Sequence, residues 1–164
     1  MKFIPSDIMG RVSMFSLDAH IDTLEKRLKE KEIKLLDLEY TWDQKTSSKL
    51  IDSFILGFPV PPIYIIKRKG NKHYDIIDGN HRVRTAVSFF ENKLKLVLNN
   101  KDLNGKIYKD LNEDHKNILN TATLRIFGIR EIDDDALVHE IFRRLNCGTT
   151  KRTSKEIKEL LNAK

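Results

Sequence analysis

The chain has 164 residues, a length that suits one domain with its own hydrophobic core. Its 30 basic and 24 acidic residues leave a net charge of +6, which favours polyanionic partners without identifying one. A lone cysteine, Cys147, excludes an internal disulfide, and no apolar run approaches the roughly twenty residues of a membrane span. Because the N-terminal segment also lacks a secretory signal pattern, we expect a cytoplasmic protein with no membrane partner.

The first predicted elements are a helix and a short strand. Leu17, Ile21, Leu24 and Leu28 are spaced for one face of an amphipathic helix, and residues 33–38 then form an extended segment. The chain therefore begins with a helix that is followed by a strand.

A second predicted helix has an apolar stripe and clear end signals. Ser47 and Ser48 are the expected N-terminal caps, and Gly57 with the prolines that follow it ends the helix. Four apolar residues make the stripe: Ile51, Phe54, Ile55 and Phe58.

A predicted hairpin follows, and it leads directly into a third helix. Residues 63–67 and 73–77 are apolar strand segments on either side of the turn signal Gly70-Asn71, so we expect them to pair as antiparallel strands. Beyond them, apolar residues recur at helical spacing from Val83 to Phe90. This hairpin would deliver Asp78 to the entrance of that helix.

The remainder of the chain predicts one further hairpin and then helices. Residues 94–98 and 106–108 are the expected strands, with Asn104-Gly105 near the bend, and the chain reads as helical from Asp110 onward. Asp133, Asp134 and Asp135 are better explained as helix-start residues than as catalysts, and Thr153 with Glu156 forms a capping box. Three segments make up the helical part: residues 112–121, the apolar face from Val138 to Leu145, and residues 156–161.

The sequence contains no internal repeat, low-complexity stretch or linker that would separate two domains. We therefore predict one α+β domain over residues 1–164 with a small mixed sheet. Residues 1–110 form the mixed part, which carries the most informative motif, and residues 111–164 form the helical part.

That motif is Asp78-Gly79-Asn80-His81-Arg82, which joins a predicted strand to a predicted helix. The first peptide N–H groups of a helix lack partners within it and favour an anion such as phosphate. Gly79 permits positive φ and close approach, and Arg82 offers a planar fork of donors. A turn with an ordinary helix cap explains the same residues, so a second line of argument is needed.

The motif and the helix behind it resemble the Asp-Gly-Gln-Gln-Arg motif in the N-terminal domain of GmrSD-type modification-dependent restriction enzymes, part of the wider ParB and sulfiredoxin-like superfamily. The resemblance extends over nearly the whole chain. Three other segments agree in order: Trp42 with residues 49–53, residues 57–61 leading into a strand, and residues 141–148 followed by 153–157.

The resemblance implies a ParB/sulfiredoxin-like fold and a nucleotide-phosphate site at the helix start. In restriction relatives this motif is associated with nucleoside triphosphate hydrolysis that controls a DNA nuclease. Carried over to this sequence, the implied site residues are the five motif residues, with Thr85 one helical turn along.

The chain also departs from the family pattern. A Gln-Arg pair expected shortly before Trp42 aligns with Asp37-Leu38, so a basic contact in the pocket is missing. His81 stands where the second glutamine is expected, and it resembles the His-Arg pair of sulfiredoxin-like members. His81 is therefore either an acid or base near neutral pH or a structural hydrogen-bonding group.

Restriction relatives carry a separate His-Asn-His nuclease domain after this one. Because the chain ends at Lys164 and its five histidines show no metal-ligand spacing, we expect no autonomous nuclease of that type.

The leading hypothesis is a stand-alone nucleotide-binding, NTP-hydrolysing domain related to the regulatory domain of such restriction systems. Asp78, His81 and Arg82 are its predicted catalytic residues, and Asp78 its predicted Mg²⁺ ligand, unless Asp78 only pairs with Arg82 and caps the helix. The nucleotide-binding residues are predicted as a set: Gly79, Asn80, Arg82, Thr85 and Asn146.

Two alternatives stay open. One is a non-enzymatic regulator that binds DNA or a nuclease subunit of a restriction system, and the basic segments 67–72 and 151–158 are where a nucleic acid would bind. The other is a phosphotransferase acting on a small molecule or a modified base.

Overall fold

A computed structural model of the protein describes residues 12–36 and 39–145. The predicted capping box at Thr153 and Glu156, the predicted ligand contact at Asn146 and the Asp37-Leu38 departure lie outside these residues. None of the helices within the described ranges has the length and apolar character needed to cross a bilayer.

The described residues form a five-stranded mixed sheet with the strand order β1-β5-β3-β4-β2. β1 pairs antiparallel with β5, β5 parallel with β3, β3 antiparallel with β4, and β4 parallel with β2. The strands are β1 (Ser13–His20), β2 (Ile33–Lys34), β3 (Ile63–Arg68), β4 (Tyr74–Asp78) and β5 (Thr123–Ile132).

Helices cover both faces of this sheet. A larger core packs four helices against one face, and a smaller core packs Val138 and Phe142 of the last helix against the other. The described α-helices are α1 (Ile21–Lys29), α2 (Gln44–Ile55), α3 (Asn80–Phe90), α4 (Glu113–Thr121) and α5 (Asp135–Leu145), and a 3₁₀ turn spans Tyr108–Asp110.

The α+β class and the small mixed sheet are confirmed. The β3–β4 hairpin and α3 occur where the sequence predicts them, with Ile65 opposite Ile76 across an antiparallel pair. The acidic cap at the start of α5 is also present, because the Asp134 carboxylate accepts hydrogen bonds from the amides of Ala136 and Leu137 at 2.8 and 3.2 Å.

The part of the sheet that contains β1 and β5 differs from the prediction. Residues after Asp110 are not all helical, because β5 runs between β1 and β3 in the middle of the sheet. Leu17 belongs to β1 and not to the first helix. Spacing alone places four residues on one helical face, namely Leu17, Ile21, Leu24 and Leu28. The long-range pairing of Leu17 with Ile126 overrides that local signal.

Two smaller expectations are also corrected. Residues 94–98 and 106–108 are not strands. The backbone hydrogen bonds between these two stretches involve Leu96 alone, whose amide donates to the Lys106 carbonyl and whose carbonyl accepts from the Gly105 amide. The cap of α2 is Asp43, whose carboxylate accepts from the Thr46 amide at 2.6 Å. Ser47 and Ser48 lie inside the helix, where their hydroxyls donate to carbonyls one turn back.

Candidate functional site

The turn between β4 and α3 depends on Gly79. Its φ of +100° lies in the left-handed region, which residues other than glycine rarely adopt. A Cβ at this position would lie 2.5 Å from Cγ2 of Ile63 on β3. The glycine is thus explained by backbone conformation and by close packing of the helix start on the sheet, rather than by open space left for a ligand.

Arg82 lies one turn into α3 and reaches back to the strand end. Its Nη2 donates to Oδ2 of Asp78 at 2.7 Å and to the carbonyl of Pro62 at 2.9 Å. The Arg82 side chain is 16% exposed and that of Asp78 20%. Among the described residues, the buried Nε of Arg82 has no hydrogen-bond partner. Buried polar atoms are usually satisfied, so this donor needs an explanation.

Asn80 is a structural cross-link. Its side chain is almost completely buried, Oδ1 accepts from the Leu36 amide at 3.0 Å, and Nδ2 donates to the Ile76 carbonyl at 2.9 Å. Both ends of the amide are therefore engaged within the protein. A contact between Asn80 and a phosphate would have to come from the main chain.

Thr85 lies one turn beyond Arg82 and is also buried. The Tyr40 hydroxyl lies 2.6 Å from Oγ1 of Thr85 and 2.6 Å from Oγ of Ser47 on α2. This three-hydroxyl chain joins α3 to α2 through Tyr40. The geometry therefore gives Thr85 a partner inside the fold.

His81 contacts the segment before α2. Its Nε2 accepts from the Thr41 amide at 3.1 Å and lies 3.0 Å from the Thr41 hydroxyl. Its ring packs against Tyr40 and Trp42, with centroid distances of 5.3 and 5.5 Å. A nitrogen that accepts from an amide is unprotonated, so this geometry favours the hydrogen-bonding role for His81.

The helix-start motif therefore brings its members together but directs them to different partners. Asp78 and Arg82 form a half-buried ion pair at the turn, whereas Asn80, His81 and Thr85 hold residues 36 and 40–42 over α3. Nη2 of Arg84 also donates to the Leu36 carbonyl, at 2.8 Å. The sequence did not identify Tyr40, Thr41, Arg84 and Pro62 as partners, because each is remote in sequence or packs on another helix face.

A cavity of about 240 Å³ lies beside α3 and is lined by Leu35, Tyr40, Arg84, Val87 and Ser88. Arg84 lies two residues from Arg82, which places it roughly 200° further around a helix of 3.6 residues per turn. This cavity and the Asp78–Arg82 pair are consequently on different sides of α3.

A family model described as the N-terminal domain of the GmrSD restriction endonuclease matches residues 39–163. The chain belongs to the GmrSD N-terminal domain family. This confirms the resemblance read from the motifs, and the matched range contains α2, the β3–β4 hairpin, the Asp78–Arg82 turn and β5. No curated protein and no solved structure matches the chain. The ParB/sulfiredoxin-like assignment of this GmrSD domain stays a prediction.

The donor set at the turn is compatible with Mg²⁺ only when phosphate oxygens complete it. Within residues 12–36 and 39–145, no group of three or more His, Cys, Asp or Glu side chains is placed to hold a metal ion. Mg²⁺ is commonly bound through one or two carboxylates, several waters and substrate phosphates. Asp78 would supply that single carboxylate in this GmrSD domain.

Proposed function

We propose that this GmrSD N-terminal domain binds a nucleoside triphosphate at the Asp78–Arg82 turn and hydrolyses it. Family membership indicates a role in modification-dependent restriction. A nucleotide-dependent step in that role would make the domain a regulator of a nuclease or of another restriction subunit, with DNA as the final substrate of the system.

One observation carries the proposal, namely the buried Nε of Arg82 with no hydrogen-bond partner among the described residues. An unsatisfied buried donor costs about 1 to 3 kcal/mol, more when it is charged. A phosphate oxygen at Nε would remove that cost, and arginine binds phosphate through parallel donors. The position beside the start of α3 adds the favourable helix dipole for an anion.

The chemistry expected of the side chains follows from their charges. Arg82 balances the charge on the phosphates, and Asp78 positions a water molecule beside the terminal phosphorus. The water oxygen forms a bond to that phosphorus, the bond to the bridging oxygen breaks, and the proton of the water passes to the Asp78 carboxylate. Mg²⁺, when bound with the nucleotide, neutralises the phosphate oxygens.

Nucleotide titrations with matched arginine variants test the proposal. ATP, GTP and CTP are titrated with Mg²⁺ by calorimetry, and phosphate release is followed in parallel. Arg82→Ala is compared with Arg125→Ala, since Arg125 also forms an arginine–aspartate pair, an exposed one with Asp18 between β1 and β5, with bonds of 2.8 and 2.9 Å. Circular dichroism melts confirm that both variants are folded.

We expect Arg82→Ala to weaken binding at least tenfold and Arg125→Ala to leave it unchanged. Asp78→Asn should retain nucleotide binding measured without Mg²⁺ and lose phosphate release, because an amide neither accepts the proton nor replaces the carboxylate that would hold the metal. Equal affinities of the wild type and Arg82→Ala would overturn the site. Binding without turnover in the wild type would overturn hydrolysis and leave a nucleotide-sensing regulator.

His81→Gln separates the two roles of His81. A glutamine side-chain oxygen can accept from the Thr41 amide but cannot exchange a proton near neutral pH. If His81 acts as an acid or base, the variant loses the neutral-pH dependence of phosphate release. If His81 only holds Thr41, the variant keeps the same pH profile as the wild type.

A further inference from the structure

A row of polar and basic side chains crosses four neighbouring strands at the margin of the larger core. The row consists of Ser13 on β1, Arg130 on β5, Lys67 on β3 and Tyr74 on β4, and with Glu131 it lines a cavity of about 550 Å³. Ser13 pairs directly with Arg130, while Lys67 and Arg130 follow the paired residues Ile66 and Ile129. We call it the Lys67–Arg130 row.

The two cations of this row rest on aromatic rings. Nζ of Lys67 lies 5.9 Å from the centroid of the Tyr74 ring, and the guanidinium carbon of Arg130 lies 5.0 Å from that of Phe15. The two rings meet edge to face at 5.9 Å. Lys67 and Arg130 therefore share one continuous aromatic floor.

Gly128 makes this floor possible. A Cβ on Gly128 would lie 2.0 Å from Cζ of Phe15, so only glycine lets the Phe15 ring lie across β5 towards Tyr74. The glycine lies within β5, between β1 and β3, where it provides no side chain to pack. Its position is explained by the support that it gives to the ring beneath Arg130.

Neither cation of the row forms an ion pair among the residues that the structure describes. A neutral ring holds a cation without cancelling its charge, whereas a carboxylate partner cancels it. The adjacent cations Arg68 and Lys69 pair with Asp135 and Asp133 respectively, so their charges are offset. Lys67 and Arg130 are thus positioned by π-systems and still carry charge for an anion.

We infer that the Lys67–Arg130 row binds the phosphodiester backbone of a nucleic acid. Three interstrand spacings give the row a length of roughly 14 Å, which suits an extended polyanion better than one phosphate group. The hydroxyls of Ser13 and Tyr74 add neutral donors of the kind that commonly contact phosphate oxygens. With its rings covered by cations, the row contacts the backbone and does not read bases.

Glu131 provides a test in the opposite direction. It lines the same cavity, so its carboxylate reduces the positive charge of the row. Replacing it by glutamine should tighten binding of an anion, and a gain of affinity cannot result from partial unfolding.

Fluorescence anisotropy with labelled 20-base-pair DNA, single-stranded DNA and RNA tests the inference between 50 and 200 mM KCl. For duplex DNA, the Lys67→Gln/Arg130→Gln variant should flatten the slope of log affinity against log salt by about 1 to 2, as expected for loss of one or two phosphate contacts. Glu131→Gln should bind more tightly than the wild type. Arg125→Gln on the opposite sheet face is the matched control and should keep the wild-type slope.

Three results would overturn the inference. They are no binding of any of the three nucleic acids to the wild type at 50 mM KCl, equal affinities of wild type and double variant, and an equal loss in Arg125→Gln. The inference is independent of the nucleotide proposal. Arg82→Ala should retain DNA binding, and the double variant should retain nucleotide binding.

Discussion

Replacement of Gly79 by alanine should destabilise the domain more than replacement of any glycine in an open turn. The φ of +100° at Gly79 costs an L-residue about 1 to 2 kcal/mol. The added Cβ would also lie 2.5 Å from the Ile63 side chain, a contact that forces the buried strand and helix start apart. Overpacking of this kind adds about 1 to 3 kcal/mol, so a total loss of about 2 to 5 kcal/mol is expected.

Gly70 provides a matched control within the same fold. It has a similar φ of +85°, but a Cβ there would meet nothing within 4 Å. Gly70→Ala should therefore lose only the backbone term of about 1 to 2 kcal/mol. The difference between the two variants isolates the packing of the helix start against Ile63.

Urea unfolding followed by circular dichroism measures both free energies. We expect Gly79→Ala to lose about 1 to 3 kcal/mol more than Gly70→Ala, the range given for overpacking. Equal losses in the two variants would refute the reasoning, because they would mean that Ile63 moves aside without cost.

Three further changes test the contacts around α3 and the sheet. Asn80→Ala leaves the Leu36 amide and Ile76 carbonyl unsatisfied and should lose about 2 to 4 kcal/mol in urea unfolding, while a loss under about 1 kcal/mol would show that water replaces the amide. Tyr40→Phe removes the hydroxyl beside Thr85 and should lower the unfolding free energy by about 1 to 3 kcal/mol, and an unchanged value would mean that the bridge contributes nothing. Burial raises the pKa of Asp75 above its ordinary value, so wild-type stability relative to Asp75→Asn should be greatest below that ordinary value and fall as pH rises through the raised one. If the stability of the wild type relative to Asp75→Asn is flat between pH 3 and 8, or grows with pH, the burial argument is contradicted.

The elements next to the helix start could be read from sequence because their signals are local. The Gly70-Asn71 turn lies between two apolar segments, and the apolar spacing after Gly79 has the period of a helix. Gly57 has a φ of +68° just after α2, as expected of a residue that ends a helix. Each of these features depends on neighbours within a few residues.

β5 could not be read in the same way. Gly128 and the positive φ of Glu131 interrupt its apolar alternation, and its partners β1 and β3 are remote in the chain. The alternation of Phe15 and Leu17 in β1 is short, and the helical spacing from Leu17 to Leu28 is equally good. Strand pairing over these distances decides between the two patterns, and no local window contains that information.

The candidate site was likewise only partly predictable. The sequence identified the pairing of Asp78 with Arg82 as one option, because the two opposite charges lie four residues apart on either side of the predicted helix start. The bonds from Asn80 to residue 36 and from His81 to Thr41 depend on how the preceding segment crosses α3. That crossing is a tertiary feature with no spacing rule in the sequence.

Amide chemical shifts in ¹⁵N-labelled protein test the central claim most directly. On titration with GTP, ATP or CTP and Mg²⁺, the amide resonances of Gly79, Asn80, His81 and Arg82 should shift saturably and return when the nucleotide is removed. Shifts confined to residues around Lys67 and Arg130, or no shifts with any nucleotide, would contradict the claim that a phosphate binds at the start of α3.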